Sequence, residues 1–330
     1  MRVLVTGASG MLGGAVADAL AARGDDVTVL QRRASGHGHR EVLADVADPD
    51  AVTAAVLGHD AVVHLAAKVD ITGRWADFVR TNVRGTAVVV GACRAAGVGR
   101  LVHVSSPSVA HAGSALVGVG AEPADPARAR GHYARSKAAA ELLVLDGAGR
   151  GGTGGDRPAV VAVRPHLVWG PGDTQLIGRI VARARAGRLV GVGSGAALID
   201  TTYVDNAVDA LVAALDRCTV LDGRALVVSN GEPRPVAELL ASICRAAGVP
   251  APRRAVPVPV ARAAGALAEA AWAAVPALRR AGDPPITRFL AEQLSTAHWF
   301  DQRATRRALG WAPRVPLDDG FAALAASRAR

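Results

Sequence analysis

Short apolar runs alternate with Ala-rich amphipathic stretches through the first half of the chain. VLVT (3–6), VTVL (27–30), AVVHL (61–65), LVHVS (101–105) and VVAVR (160–164) are apolar at successive positions. Such runs fit strands buried on both faces rather than on one. Helical patterns lie between them, the first over 11–23. Strand, helix, strand in repetition predicts right-handed βαβ units and a parallel sheet. After about residue 165 the alternation weakens, and helices are predicted at 175–187, 205–216, 235–247, 258–276, 286–294 and 317–328. GAGRGGTGGDRP (147–158) reads as a surface insertion between a helix and a strand, not a domain boundary. No internal repeat is visible.

The first strand runs into Gly7, Ala8, Ser9, Gly10, Met11, Leu12 and Gly13, a GxxGxxG followed by a helix. Glycines there permit a tight turn and bring a pyrophosphate to the amide groups of a helix N-terminus. Dinucleotide binding follows, with Ser9, Met11 and Leu12 beside the three glycines. The fold class predicted is therefore α/β, a Rossmann-type doubly wound parallel sheet with a smaller, mostly helical C-terminal substrate lobe. The division expected is 1–165 for the nucleotide domain and 166–330 for the lobe, with some segments returning to the first.

The end of the second strand distinguishes the two dinucleotides. A carboxylate there would bond a ribose 2′-hydroxyl, whereas arginine meets a 2′-phosphate. Gln31 stands at that place, and Arg32 and Arg33 follow. NADP(H) is favoured over NAD(H). Asp45, after the next short strand, fits either an adenine contact or the start of a helix.

Two of the rarest residue types meet in GHYARSKAAAE (131–141). The chain has two tyrosines and two lysines against 36 arginines, and Tyr133 precedes Lys137 by four positions. On a helix these share one face. An ammonium beside a phenol favours the phenolate, which makes the tyrosine a usable acid or base. The preceding strand ends in Ser105 and Ser106, where a hydroxyl can share the bond to a developing alkoxide. Ser106 is the choice, although spacing alone does not separate the two. Lys68, after the HLAA of the fourth strand, fits a cofactor phosphate, a substrate carboxylate or a solvated strand end. Asp205 reads as a helix N-cap, and His298–Trp299 as either a substrate wall or core.

Composition narrows the rest. The net charge of +9 follows an arginine-rich bias that matches a high-GC codon usage, and the arginines are scattered among 3% aromatics. That is not a nucleic-acid footprint. Cys93, Cys218 and Cys244 lack CxxC spacing and read as buried thiols in a reducing compartment. The nine histidines show no HExxH or acid-paired spacing, so no metal is expected. No signal peptide or 18-residue apolar run is present, so a cytoplasmic protein is expected. The Ala-rich 258–278 segment allows at most a peripheral membrane contact.

GASGMLG, HLAAK, TNVRGT, VSSPSV, YARSK and RPHLVWGPGD together resemble the extended short-chain dehydrogenase/reductase family over nearly the whole chain. The closing RRALGWAPRVPLDDGF is similar to that family's final helix signature. The resemblance implies Tyr133 as acid/base, Lys137 on the nicotinamide ribose lowering the Tyr133 pKa, and Ser106 on the carbonyl. It implies cofactor contacts from Ala66, Ala67 and Pro165, and support of that pocket by Asn82; Val46, Lys68 and Val104, at the ends of neighbouring strands, are further candidates for cofactor contact. Epimerases and dehydratases of the family usually carry an Asn where this chain has Leu167. The chain instead resembles the 3β-hydroxysteroid dehydrogenase-like branch, and VSNGEP, IDTTYVDNAVDA and PPITRFLAEQLSTAHWF are similar to its bacterial 2-alkyl-3-oxoalkanoate reductases. A hydrophobic small-molecule substrate and a homodimer are implied. Sterol or steroid dehydrogenase, sugar-nucleotide epimerase or dehydratase, and a non-catalytic NADP(H) sensor are the competing readings; the intact Tyr–Lys pair counts against the last.

Overall fold

The computed structural model describes residues 1–70, 72–146, 157–275, 278, 284 and 286–328. Most of the expected 147–158 insertion, and positions 276 and 277 of the Ala-rich segment, lie outside them.

Seven strands form the main sheet: β1 (Arg2–Thr6), β2 (Asp26–Gln31), β3 (Arg40–Leu43), β4 (Ala61–His64), β5 (Arg100–Val104), Ala159–Pro165 and Arg224–Val228. Their spatial order is Arg224–Val228, Ala159–Pro165, β5, β4, β1, β2, β3, and every pair is parallel. The chain starts mid-sheet, runs to one edge, then crosses back past β1. A ligand crevice opens at that reversal, beyond the carboxyl ends of β1 and β4.

The continuous apolar runs are explained by helices on both faces. Val3 and Val5 point to one side, where α1 (Met11–Ala22) and helix Val204–Asp216 cover them through Val16, Leu20, Leu211 and Leu215. Leu4 points to the other side, against Val52, Val56, Val89 and Val90 of α2 (Pro49–Val56) and of α4 (Gly85–Ala95), which follows the short α3 (Trp75–Phe78). Each such buried aliphatic side chain contributes about 1.5–3 kcal/mol.

Two features of the second half go beyond the pattern reading, which expects segments to return to the first domain but names no strand among them. Strand Arg224–Val228 extends the main sheet. A mixed four-stranded sheet joins Leu116–Val119, His298–Phe300, Leu198–Ile199 and Arg234–Pro235. Strands this short carry no readable period. Helix Val204–Asp216 begins one residue early: Tyr203 is its N-cap position, with no capping side chain, and Asp205 lies in its first turn. The expected Asp205 cap is thus corrected; burial and neighbouring Asp209 push its carboxyl up instead. Among the described residues no helix is long and apolar enough to cross a membrane.

Candidate active site

A cleft of about 540 Å³ opens over the carboxyl ends of the central strands. Its floor is the turn from β1 to α1. Gly7 has φ +82°, and a Cβ there would lie 2.8 Å from the Ala66 amide nitrogen. A Cβ on Gly13 would lie 2.3 Å from the Gly7 carbonyl oxygen, so helix and turn touch through bare backbone. Gly10 caps α1 without a side-chain bond, and Ser9, Gly10, Met11, Leu12 and Gly13 all face the cleft. The first amides of α1 are left to an anion.

Ser105, Ser106, Tyr133 and Lys137 meet on one wall. Tyr133 and Lys137 sit on α5 (Gly131–Leu145), and the serines follow β5 directly. The Ser106 hydroxyl shares the cleft wall with the Tyr133 phenol and draws its pKa down. It also caps the 3₁₀ turn Pro107–Ala110 by accepting from the Ser108 backbone N–H at 3.3 Å and hydroxyl at 2.9 Å. The Ser105 Oγ is buried with no partner among the described residues. Both serines line the cleft, in different surroundings.

Lys137 is 3% exposed, and its ammonium donates to the Val104 carbonyl oxygen at 2.5 Å. Burial lowers its pKa to about 8, with Glu141 pulling the other way. Tyr133 is half-buried, yet the protein around its phenol raises the phenol's pKa, which Ser106 partly offsets. The expected lowering of that phenol by Lys137 is corrected for this arrangement. The ammonium donates to a strand carbonyl, and burial of the phenol sets the direction of the shift.

At the far end of the cleft, Gln31, Arg32, Asp45 and Val46 form the wall. The Asp45 carboxylate accepts from the Ala47 amide at 2.9 Å and pairs with Arg80 at 2.7 Å; Asp48, not Asp45, caps α2. A carboxylate does lie beside Gln31. Glu41 of β3 accepts from the Ser35 amide at 2.8 Å, the Ser35 hydroxyl at 2.7 Å and the Gln31 side-chain amide. Strand pairing of β2 with β3 brings Glu41 there, a contact no local motif announces.

Ala66, Ala67, Val104 and Pro165 face the cleft, whereas Arg33, Lys68 and Asn82 do not line it. Lys68 pairs with Asp70 and lies 5.3 Å from the Phe78 ring centroid. Asn82 is buried in the π-helical turn Val79–Arg84. It accepts from the Lys68 amide at 2.7 Å and donates to Ser136 at 2.8 Å, tying the loop after β4 to α5. His298 is buried against His111 and His166, away from the cleft. Leu167, Val168 and Leu176, which pattern reasoning did not assign to substrate, supply an apolar wall. Leu167 has φ +44°, the one non-glycine with positive φ among the described residues.

Residues 3–229 match the model of the NAD dependent epimerase/dehydratase family. The chain is 41% identical over its whole length to the 2-alkyl-3-oxoalkanoate reductase of Stenotrophomonas maltophilia, covering all of that protein. It is 31% identical to the human sterol-4-alpha-carboxylate 3-dehydrogenase, decarboxylating, over 97% of this chain and 86% of that one. The structure of MoeE5 in complex with UDP-glucose and NAD is similar with a TM-score of 0.76 and 26% identity, covering 100% of this chain and 99% of that one. A glycine turn on bare helix amides, and a Ser–Tyr–Lys wall facing it, are the parts a nicotinamide enzyme needs. By sequence and by fold, this chain belongs to the NAD dependent epimerase/dehydratase family, the extended short-chain dehydrogenases/reductases, as an NAD(P)-dependent oxidoreductase.

Proposed function

We propose that the protein is an NADP(H)-dependent ketoreductase that converts a hydrophobic 3-oxo acid, a 2-alkyl-3-oxoalkanoate, to its 3-hydroxy acid. The observation that carries this reading is the union, in one cleft, of Ser106, Tyr133 and Lys137 with the apolar wall of Leu167, Val168 and Leu176. A sugar diphosphate would find no polar partner in the Leu167 side chain. The full-length likeness to a 2-alkyl-3-oxoalkanoate reductase supports the substrate class.

The dinucleotide, when bound, supplies the hydride for the C3 carbonyl carbon. Ser106 donates a hydrogen bond to the carbonyl oxygen. Tyr133 gives its proton to the same oxygen as negative charge builds there, so hydride plus proton reduce the ketone to the alcohol. A raised phenol pKa suits a group that must hold its proton until that moment. Lys137 provides positive charge beside the forming phenolate and a donor for a ribose. Asn82 and Ser136 hold the loop and helix that set these positions.

Arg32 on the cleft wall supports NADP(H) over NAD(H). A cytoplasmic homodimer is part of the same reading. The human sterol relative favours a 3β-hydroxysteroid or sterol substrate as the second reading. NADPH consumption with a 2-alkyl-3-oxo acid, a 3-ketosteroid and a UDP-sugar, each in turn, tests the assignment. Turnover of the keto acid alone supports it, and turnover of the steroid alone replaces it.

A further inference from the structure

The loop between β2 and β3 contains the sequence GHGH, and it folds back onto α1. There His37 and His39 converge on Asp18. His37 Nδ1 lies 3.1 Å from the Asp18 carboxylate, and His39 Nε2 lies 2.8 Å from its Oδ1. The two imidazoles are stacked, 6.0 Å between centroids and 12° between planes. One ligand atom from each of the three residues lies within 4.8 Å of the others. A tetrahedral divalent ion bound at about 2.0–2.2 Å from nitrogen and oxygen sets its ligand atoms roughly 3.3–3.6 Å apart. The separations to Asp18, 3.1 and 2.8 Å, are hydrogen-bonded contacts that need only a small opening to admit one. Both imidazoles are packed against the protein, while the Asp18 side chain is 54% exposed. His39 is only 12% exposed at its side chain. His37 packs over Gly14, where a Cβ would lie 2.4 Å from its Nε2. Pattern reasoning missed the group because the carboxylate stands 19 residues before the first histidine.

We propose that Asp18, His37 and His39 form a binding site for a borderline divalent transition ion, Zn²⁺ or its neighbours, separate from the catalytic cleft. Two imidazoles and one carboxylate suit such an ion and disfavour Mg²⁺ and Ca²⁺, which need mostly oxygen. The remaining coordination positions face solvent and take water. A bound ion clips the loop to α1 on the helical turns beyond the glycine floor. The loop starts at Arg32, so the clip stiffens the segment that leads from the cleft wall.

Equilibrium dialysis of the tag-free full chain against Zn²⁺ near pH 7.5 tests this, with His37→Gln, His39→Gln and Asp18→Asn in parallel. Co²⁺ absorption serves as a second readout, and thermal melting checks that each variant is folded. One ion per chain with micromolar or tighter affinity, weakened about tenfold or more in each variant, is expected. With it should come a Co²⁺ visible band that is lost in the variants. Absence of a stoichiometric ion in the folded wild type overturns the site. So does an ion retained equally by all three variants, which would place it elsewhere.

Discussion

Arg164 grips both carboxylate oxygens of Glu141, with Nε–Oε2 at 2.8 Å and Nη2–Oε1 at 2.5 Å, and both side chains are about 1% exposed. Glu141 is one helical turn beyond Lys137 on α5, and Arg164 immediately precedes Pro165 of the cleft wall. The bidentate pair therefore locks the helix carrying Tyr133 and Lys137 to the strand that closes the cleft. The Arg164 guanidinium also donates to the Glu122 carbonyl at 2.6 Å, which fixes the connection between β5 and α5.

Removing one partner of a buried pair strands the other charge. Glu141→Gln is expected to lower stability by about 3–5 kcal/mol. Arg164→Met with Glu141→Leu together is expected to recover most of that loss. Denaturant midpoints of the wild type and the two variants check this; a double variant no more stable than the single one contradicts it.

The buried ammonium of Lys137 gives a pH signature. Its folded pKa, about 8, lies below the ordinary 10.5, so the folded chain binds fewer protons than the unfolded chain between those values. The penalty of burying the charge is full below pH 8 and fades as pH rises toward 10.5. This group alone thus makes stability rise with pH in that window. Function moves the other way, because the positive charge is lost above pH 8. The kcat/KM for the dinucleotide, which reports the free enzyme, is expected to fall with an apparent pKa near 8. Lys137→Met should abolish that limb along with most activity.

Leu167 holds a left-handed backbone at φ +44° and faces the cleft. Asparagine tolerates that conformation better than leucine. Leu167→Asn is therefore expected to fold with unchanged or higher melting temperature. It should nevertheless raise the KM for a 2-alkyl-3-oxo acid by roughly tenfold or more, in keeping with about 1.5–3 kcal/mol for a buried aliphatic side chain. Steady-state kinetics beside a melting curve distinguishes this from simple damage.

Arg32 reaches the cleft wall and Arg33 does not. Arg32→Ser is expected to raise the KM for NADPH by about tenfold or more and leave that for NADH nearly unchanged, since a charge-assisted phosphate contact is worth about 1.5–3 kcal/mol. Arg33→Ser should change either KM far less. Equal effects of Arg32→Ser on both cofactors would remove the 2′-phosphate role.

The central sheet was legible because buried parallel strands write continuous apolar runs, and the glycine turn because only glycine fits its close approaches. Strand Arg224–Val228 was missed although RALVV is an apolar run, since nothing local shows that a segment so late in the chain returns to the sheet edge. Tyr133 and Lys137 stood out by rarity and spacing, and Ser106 by its place at the end of a strand. What their neighbours do to them did not. The turn of Lys137 toward Val104, the Glu41 carboxylate beside Gln31 and the Asp18–His37–His39 convergence all arise from contacts between distant segments. The pairing of Lys68 with Asp70 shows the converse, where a strand-end lysine near a ligand crevice takes a local partner.

The most direct test compares wild type with Tyr133→Phe in single-turnover reduction of a 2-alkyl-3-oxo acid by pre-bound NADPH, with dinucleotide binding measured separately by fluorescence titration. The phenylalanine keeps the ring and removes only the proton donor. The expected result is a fall of about 10²–10⁴ in the reduction rate with NADPH affinity within a few-fold of wild type. Undiminished reduction by Tyr133→Phe would take the chemistry away from this tyrosine and contradict the proposed mechanism.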